Sequence, residues 1–277
     1  MIGGDIIMKE KLNGVNIICK DAYKKEKKII KDNYKNILKL IKKLWSFDEP
    51  EKVNIYIMKS DFKFALITHP ILNKVFLLTL LLPYWVLKER KKRKKWRGVS
   101  HFKKDYPCIL LKPMEAYRNL DSELGNIIYK TKKNNLSKKF KITLCDQLLS
   151  ILIPQYLTLW LNEGITSVTI EKYIDKQIYK VDSLKLLKEN YCQINVSEFS
   201  EVDNKTIAYN YTKGYWTVRY LEEEYPGFLK KTIKKYKGEE IVKEIGKKLG
   251  LDTNNKDELW EQIDDLLYDH YQYLLEE

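Results

Sequence analysis

Leu159-Trp-Leu-Asn-Glu-Gly-Ile-Thr166 sets Trp160, Leu161 and Ile165 where one helical face can bury them, and it lies inside a longer helical segment over 156–178. The same period continues outward on both sides. Segments near 183–190, 208–224, 226–236, 238–248 and 256–275 read as helices after it, and one near 141–152 reads as a helix before it. Gly250, between Leu249 and Leu251, is a helix stop, because glycine reaches the left-handed conformation without a Cβ clash. Further upstream the pattern changes. Asp21 to Trp45 carries Tyr23, Ile30, Tyr34, Ile37, Leu38, Ile41, Leu44 and Trp45 at helical spacing, with lysines on the outer face. After the breaker at Phe47-Asp-Glu-Pro50, Val53-Asn-Ile-Tyr-Ile-Met58 alternates as a half-buried strand does, and Cys108-Ile-Leu-Leu111 following Pro107 reads as a second strand. Strands first and helices after predict an α+β chain. The reading is of one compact unit. Residues 1–118 form an N-terminal helix plus a β-containing subdomain interrupted by an insertion at 71–97, and 119–277 form a helical subdomain.

The chain has 277 residues, of which 44% are apolar, 32% charged and 12% aromatic, with 20 Tyr. That excludes the low-aromatic signature of disorder and provides enough apolar mass for a sizeable core. Formal net charge is +13, from 51 Lys+Arg against 38 Asp+Glu. Its distribution is uneven, because the decapeptide Lys88–Arg97 holds five Lys and three Arg against one Glu. Arg90, Lys91, Lys92, Arg93, Lys94, Lys95 and Arg97 are therefore candidate anion-binding residues, for an anionic membrane surface or for nucleic acid. Only Trp96 interleaves them, which is poor support for base stacking there. The preceding apolar run, Val75 to Leu87, contains Pro83 and falls short of the ~20 residues that cross a bilayer. Beside the basic cluster it could still rest at an interface. Cys19, Cys108, Cys145 and Cys192 include no CxxC or CxxH pair, so reduced thiols are expected. The charged opening MIGGDIIMKEKLNG reads against a secretory leader, and the expected location is cytoplasmic, peripheral to a membrane if the insertion docks on one. No glycine-rich phosphate loop and no internal repeat is visible.

The Leu159–Thr166 stretch resembles the WLNEG(F/L)A helix of the gluzincin metallopeptidases, the aminopeptidase N-like group and its relatives. In that family the glutamate is the third zinc ligand, a role that by position falls on Glu163. Further on, Tyr211-Thr-Lys-Gly-Tyr-Trp-Thr-Val-Arg-Tyr-Leu-Glu222 resembles the same family's YxKG helix, and the resemblance puts on Tyr211 the hydrogen bond to the tetrahedral oxyanion. Residues 245–260 resemble the closing helices. The likeness covers about residues 140–265, and more loosely 21–118. It implies a gluzincin, thermolysin-like fold.

The family's chemistry also requires HExxH, two imidazoles one helical turn apart on one metal with a glutamate to activate water. The three histidines, His69, His101 and His270, include no such pair. Two registers can be tried. Keeping the family's spacing of 18 residues before the glutamate places Phe140-Lys-Ile-Thr-Leu144 at the motif, with a cation and no ligand. Local likeness instead aligns Thr143-Leu-Cys-Asp-Gln-Leu-Leu-Ser-Ile151 with TLxHELxHI, leaving 12 residues before Glu163. Asp146 and Ser150 then stand at the histidine positions and Gln147 at the general base, and a neutral amide cannot take a proton from water. Either way zinc is not expected, and no other cofactor is indicated.

The expected function is therefore that of a catalytically inactive metallopeptidase-like protein that binds a peptide or protein partner in a vestigial cleft. Trp160, Asn162, Glu163 and Tyr211 are the expected cleft residues. Two alternatives stay open: a hydrolase with an atypical set of Asp146, Glu163 and a distant histidine brought in by folding, and an anionic-surface binder acting through 75–97. Blander readings also stay open for single residues, with Glu163 an ordinary helix residue, Tyr211 one tyrosine among many, and Cys145 a buried thiol rather than a nucleophile.

Overall fold

The computed structural model describes residues 7–12, 14–59, 98–103, 106–119, 135–189, 191–194 and 202–276. The architecture is mixed α+β. Its strands are β1 (Ile7–Leu12), β2 (Val15–Lys20), β3 (Val53–Ile57), β4 (Gly98–Lys103) and β5 (Tyr106–Leu111). The α-helices among the described residues are α1 (Lys24–Trp45), α2 (Leu136–Leu152), α3 (Leu159–Ile174), α4 (Asn204–Glu224), α5 (Phe228–Lys235), α6 (Glu239–Leu249) and α7 (Lys256–Tyr271). Single 3₁₀ stretches occupy Asp21–Tyr23, Met114–Asn119, Val181–Lys188 and Gln272–Leu275. Two compact units emerge. The first holds the sheet, α1 as far as Lys39, and α2; the second holds the chain from Leu40 to Phe47 and α3 to α7.

In the first unit the strand order is β1-β2-β3-β5-β4. β2, β3 and β5 run parallel, and β1 and β4 are antiparallel edges. A parallel β2–β3 pair needs a long crossover, which α1 supplies. The centre of such a sheet is covered on both faces. That is why β3 departs from the half-buried alternation its sequence suggests: Val53, Ile55 and Ile57 are buried, and so is Asn54. Asn54 is tolerated because its carbonyl oxygen accepts from Asn16 Nδ2 on β2 at 2.8 Å. α1 buries Ile30, Tyr34, Ile37 and Leu38, while Glu10 of β1 pairs with Lys27 and Lys31 on its half-exposed side. α2 packs on β4 and β5. It comes closest at Gly98, where a Cβ would stand 2.9 Å from Thr143 Cγ2 and 3.0 Å from Gln147 Cγ.

The second unit is helical. Trp45 Nε1 donates to Thr169 Oγ1 at 2.7 Å, joining the last turn of α1 to α3. Tyr215 of α4 stacks on Tyr179 with ring centroids 4.1 Å apart, and Trp216 Nε1 donates to Ser183 Oγ in the 3₁₀ stretch at 3.2 Å. Asp203 caps α4 by accepting from the Lys205 and Thr206 amides, and Asn255 caps α7 by accepting from those of Asp257 and Glu258. Gly250 ends α6 with φ at 72°, the left-handed stop expected of it. No helix among the described residues is long and apolar enough to cross a membrane.

Candidate functional site

The two motif helices, α3 and α4, meet at their glycines. A Cβ on Gly164 would fall inside the Gly214 carbonyl and lie 2.8 Å from Val218 Cγ2. One on Gly214 would fall inside the Trp160 carbonyl and lie 3.1 Å from the Gly164 amide nitrogen. The atoms in the way are backbone and cannot rotate aside, so only glycine admits this approach. The glycine of Trp-Leu-Asn-Glu-Gly and the glycine of Tyr-Thr-Lys-Gly thus form one crossing. Glu163 immediately precedes it on α3, and Tyr211 lies one helical turn before it on α4. Asn162, Glu163 and Tyr211 are half-buried and Trp160 is wholly buried. The Trp160 ring meets Trp260 of α7 edge-on at 5.6 Å, and its Nε1 finds no hydrogen-bond partner among the described residues.

Behind the crossing lies a buried polar cluster. Lys213 is fully buried, and its Nζ stands 3.0 Å from an Asp264 carboxylate oxygen. The same ammonium donates to the Trp260 carbonyl and lies 3.6 Å from the centroid of the Trp260 ring. Tyr209 donates to the other Asp264 oxygen at 2.5 Å. Burial pulls the Lys213 pKa down to about 8, with Asp264 opposing, and burial pushes the Asp264 carboxyl up. A second set joins Tyr215 to Glu171 at 2.5 Å, Arg219 to Tyr215 at 3.0 Å and to Glu223 at 2.8 Å, and Tyr271 to Glu223 at 2.6 Å. None of these roles was assigned from the sequence. Lys213 lies inside the Tyr-Thr-Lys-Gly string, but Asp264 stands on another helix with no local mark, so the pair was not legible.

The other expected residues fall in the first unit, on α2. Asp146 is half-buried and accepts from Gln147 Nε2 at 2.8 Å, while burial pushes its carboxyl up. Ser150 is exposed, 2.5 Å from Ser100 Oγ of β4, and it donates to the Gln147 carbonyl at 2.9 Å. Cys145 is wholly buried; burial first, and Asp146 second, push its thiol up, which suppresses the thiolate a nucleophile needs. This donor set does not fit zinc, which takes imidazole or thiolate in preference to a hydroxyl and an amide. Among the described residues no three His, Cys, Asp or Glu side chains stand close enough to hold a metal. His270 reaches Glu224 at 4.0 Å and packs edge-on against Tyr220 and Tyr271. His69 and the basic decapeptide, with Arg90, Lys91, Lys92, Arg93, Lys94, Lys95 and Arg97, lie outside the described residues. No family model and no curated protein matches this chain.

Proposed function

We propose that this protein is a gluzincin-like chain that has given up zinc hydrolysis and works by binding, holding a peptide or a protein segment beside the α3–α4 pair. Asn162, Glu163 and Tyr211 would supply the polar contacts. The observation that carries the reading is the glycine crossing: the two motifs that resemble the family's active-site helices pack on each other through Gly164 and Gly214 themselves. Accidental likeness of two short motifs gives no reason for their glycines to coincide at one contact. The absence of any HExxH, and the amide at the general-base position, argue against turnover. A carboxylate and a phenol on half-buried ground can hydrogen-bond the amides of an extended peptide without a metal. The same reading puts the chain in the cytoplasm, where its cysteines, with no CxxC or CxxH pair, are expected as thiols.

A mixed pool of blocked peptides, incubated with the protein and read by mass spectrometry and fluorescence anisotropy, tests this. Retention of intact peptides, weakened ~tenfold or more by the pair Glu163→Gln and Tyr211→Phe, is the expected result, a loss of about 1.4 kcal/mol. Cleavage that disappears in Glu163→Gln would overturn it in favour of the hydrolase alternative.

A further inference from the structure

Two segments of the second unit bring lysines together beside a third that carries Tyr156. The last turn of α1 presents exposed Lys42 and Lys43; α5 presents exposed Lys231 and Lys234 with half-buried Lys230; Lys237 follows, also exposed. Specific hydrogen bonds hold the segments together. Lys230 Nζ donates to the Lys43 carbonyl at 3.0 Å, Tyr156 donates its hydroxyl to the Ile233 carbonyl at 2.8 Å, and Lys237 Nζ stands 5.7 Å from the centroid of the Tyr156 ring. α5 turns Leu229, Thr232 and Ile233 inward, which leaves its lysines on the outer side.

Lys185, Lys188, Lys247 and Lys256 elsewhere in this unit each hold a carboxylate, whereas Lys42, Lys43, Lys230, Lys231, Lys234 and Lys237 form no ion pair among the described residues. Glu222 lies near enough to feel the Lys230 charge, but the two form no ion pair among the described residues. Glu244, which acts on Lys235, is already taken by Lys247. Like charges gathered without close ion pairs raise the local potential and favour a polyanion. An aromatic ring stands among them: Tyr156 is 36% exposed, and with its hydroxyl tied to Ile233 the ring is held in place.

We propose that this surface binds single-stranded nucleic acid, with phosphates on Lys42, Lys43, Lys231 and Lys234 and a base stacked on Tyr156. Cations for the phosphates and a fixed ring beside them are the two components such a site needs. A duplex offers no free base face to the ring. A bilayer would need aliphatic side chains to enter it, and the large apolar side chains exposed among the described residues are Tyr156 and Tyr273. This inference uses none of the residues assigned to peptide binding.

Fluorescence anisotropy with a labelled oligothymidylate, over a salt series, tests the proposal on the full chain. The combined variant Lys42→Glu, Lys43→Glu, Lys231→Glu and Lys234→Glu is expected to bind ~tenfold or more weakly at low salt, and its log–log salt slope to be shallower by about 3, near 0.7 for each phosphate that is no longer neutralised. Tyr156→Leu is expected to weaken oligothymidylate by about fivefold or more and to leave heparin binding unchanged, since heparin has no base to stack. Circular dichroism checks the fold, and the Lys→Gln set replaces the Glu set if charge reversal unfolds the chain. Three results would overturn the proposal: unchanged affinity in the folded four-site variant, loss of affinity only when Lys91, Lys92, Lys94 and Lys95 are reversed instead, or binding to phosphatidylserine vesicles with none to the oligonucleotide.

Discussion

Removing a lysine from water at position 213 is costly, and Asp264, Tyr209 and the Trp260 carbonyl offset that cost. Lys213→Met leaves the buried Asp264 carboxylate with the Tyr209 hydroxyl alone, so a loss of about 3 kcal/mol in urea-unfolding free energy is expected. The pH dependence has a definite sign. In the folded chain the lysine titrates at about 8 against an ordinary 10.5. Between those values the unfolded chain binds more protons, and stability contributed by this group rises with pH across the window. The wild-type advantage over Lys213→Met is therefore expected to grow from pH 8 to pH 10.5, and a flat difference would show that the ammonium is not desolvated. The glycine crossing gives a second expectation at this scale. Gly214→Ala drives a methyl group into the Trp160 carbonyl and is expected to cost about 3 kcal/mol in the same assay. A loss below about 0.5 kcal/mol would mean that the helices can part without penalty, contrary to the close approach at this crossing.

At the scale of elements, helix ends give the sharpest expectations. Asn255→Ala removes the acceptor for two amides of α7 and is expected to lower stability by about 1 kcal/mol with little pH dependence. Asp203→Ala removes the cap of α4, but here the loss depends on pH. Hydrogen bonds from Thr206 hold the Asp203 carboxyl below its ordinary range, so its contribution is present at neutral pH and fades as pH falls through the lowered value. Thermal unfolding of both variants from pH 7 to pH 3 separates the two behaviours, and an Asp203→Ala deficit that persists in acid would contradict the assignment. The helices were legible in the sequence because a long apolar period and a glycine stop at Gly250 are local signals. The strands were less so. β1, β2 and β4 went unread, since Val15-Asn-Ile-Ile-Cys19 has no clean alternation and Gly98–Lys103 lies beside the basic run. Asn54 looked like an outward residue in an alternating strand. Its burial depends on Asn16, 38 residues away, which no local pattern reveals.

At the scale of the whole molecule, the candidate site was legible only where its motifs were contiguous. Trp160, Glu163 and Tyr211 stood out because Trp-Leu-Asn-Glu-Gly and Tyr-Thr-Lys-Gly are short unbroken strings. The Tyr209–Asp264 and Lys213–Asp264 pairs behind them did not, because the first spans 55 residues and joins separate helices. The lysine surface of α1 and α5 was hidden for the same reason: its cations are spread over distant segments, whereas the decapeptide at 88–97 drew attention by density alone. The proposed function rests on a gluzincin-like chain working without zinc. Elemental analysis of the full chain, purified at neutral pH and dialysed with excess zinc and then without it, decides this point. Well under ~0.1 zinc per chain is expected, because neither register of the likeness, Phe140–Leu144 or Thr143–Ile151, supplies an imidazole. About one zinc per chain, lost on Glu163→Gln, would contradict it.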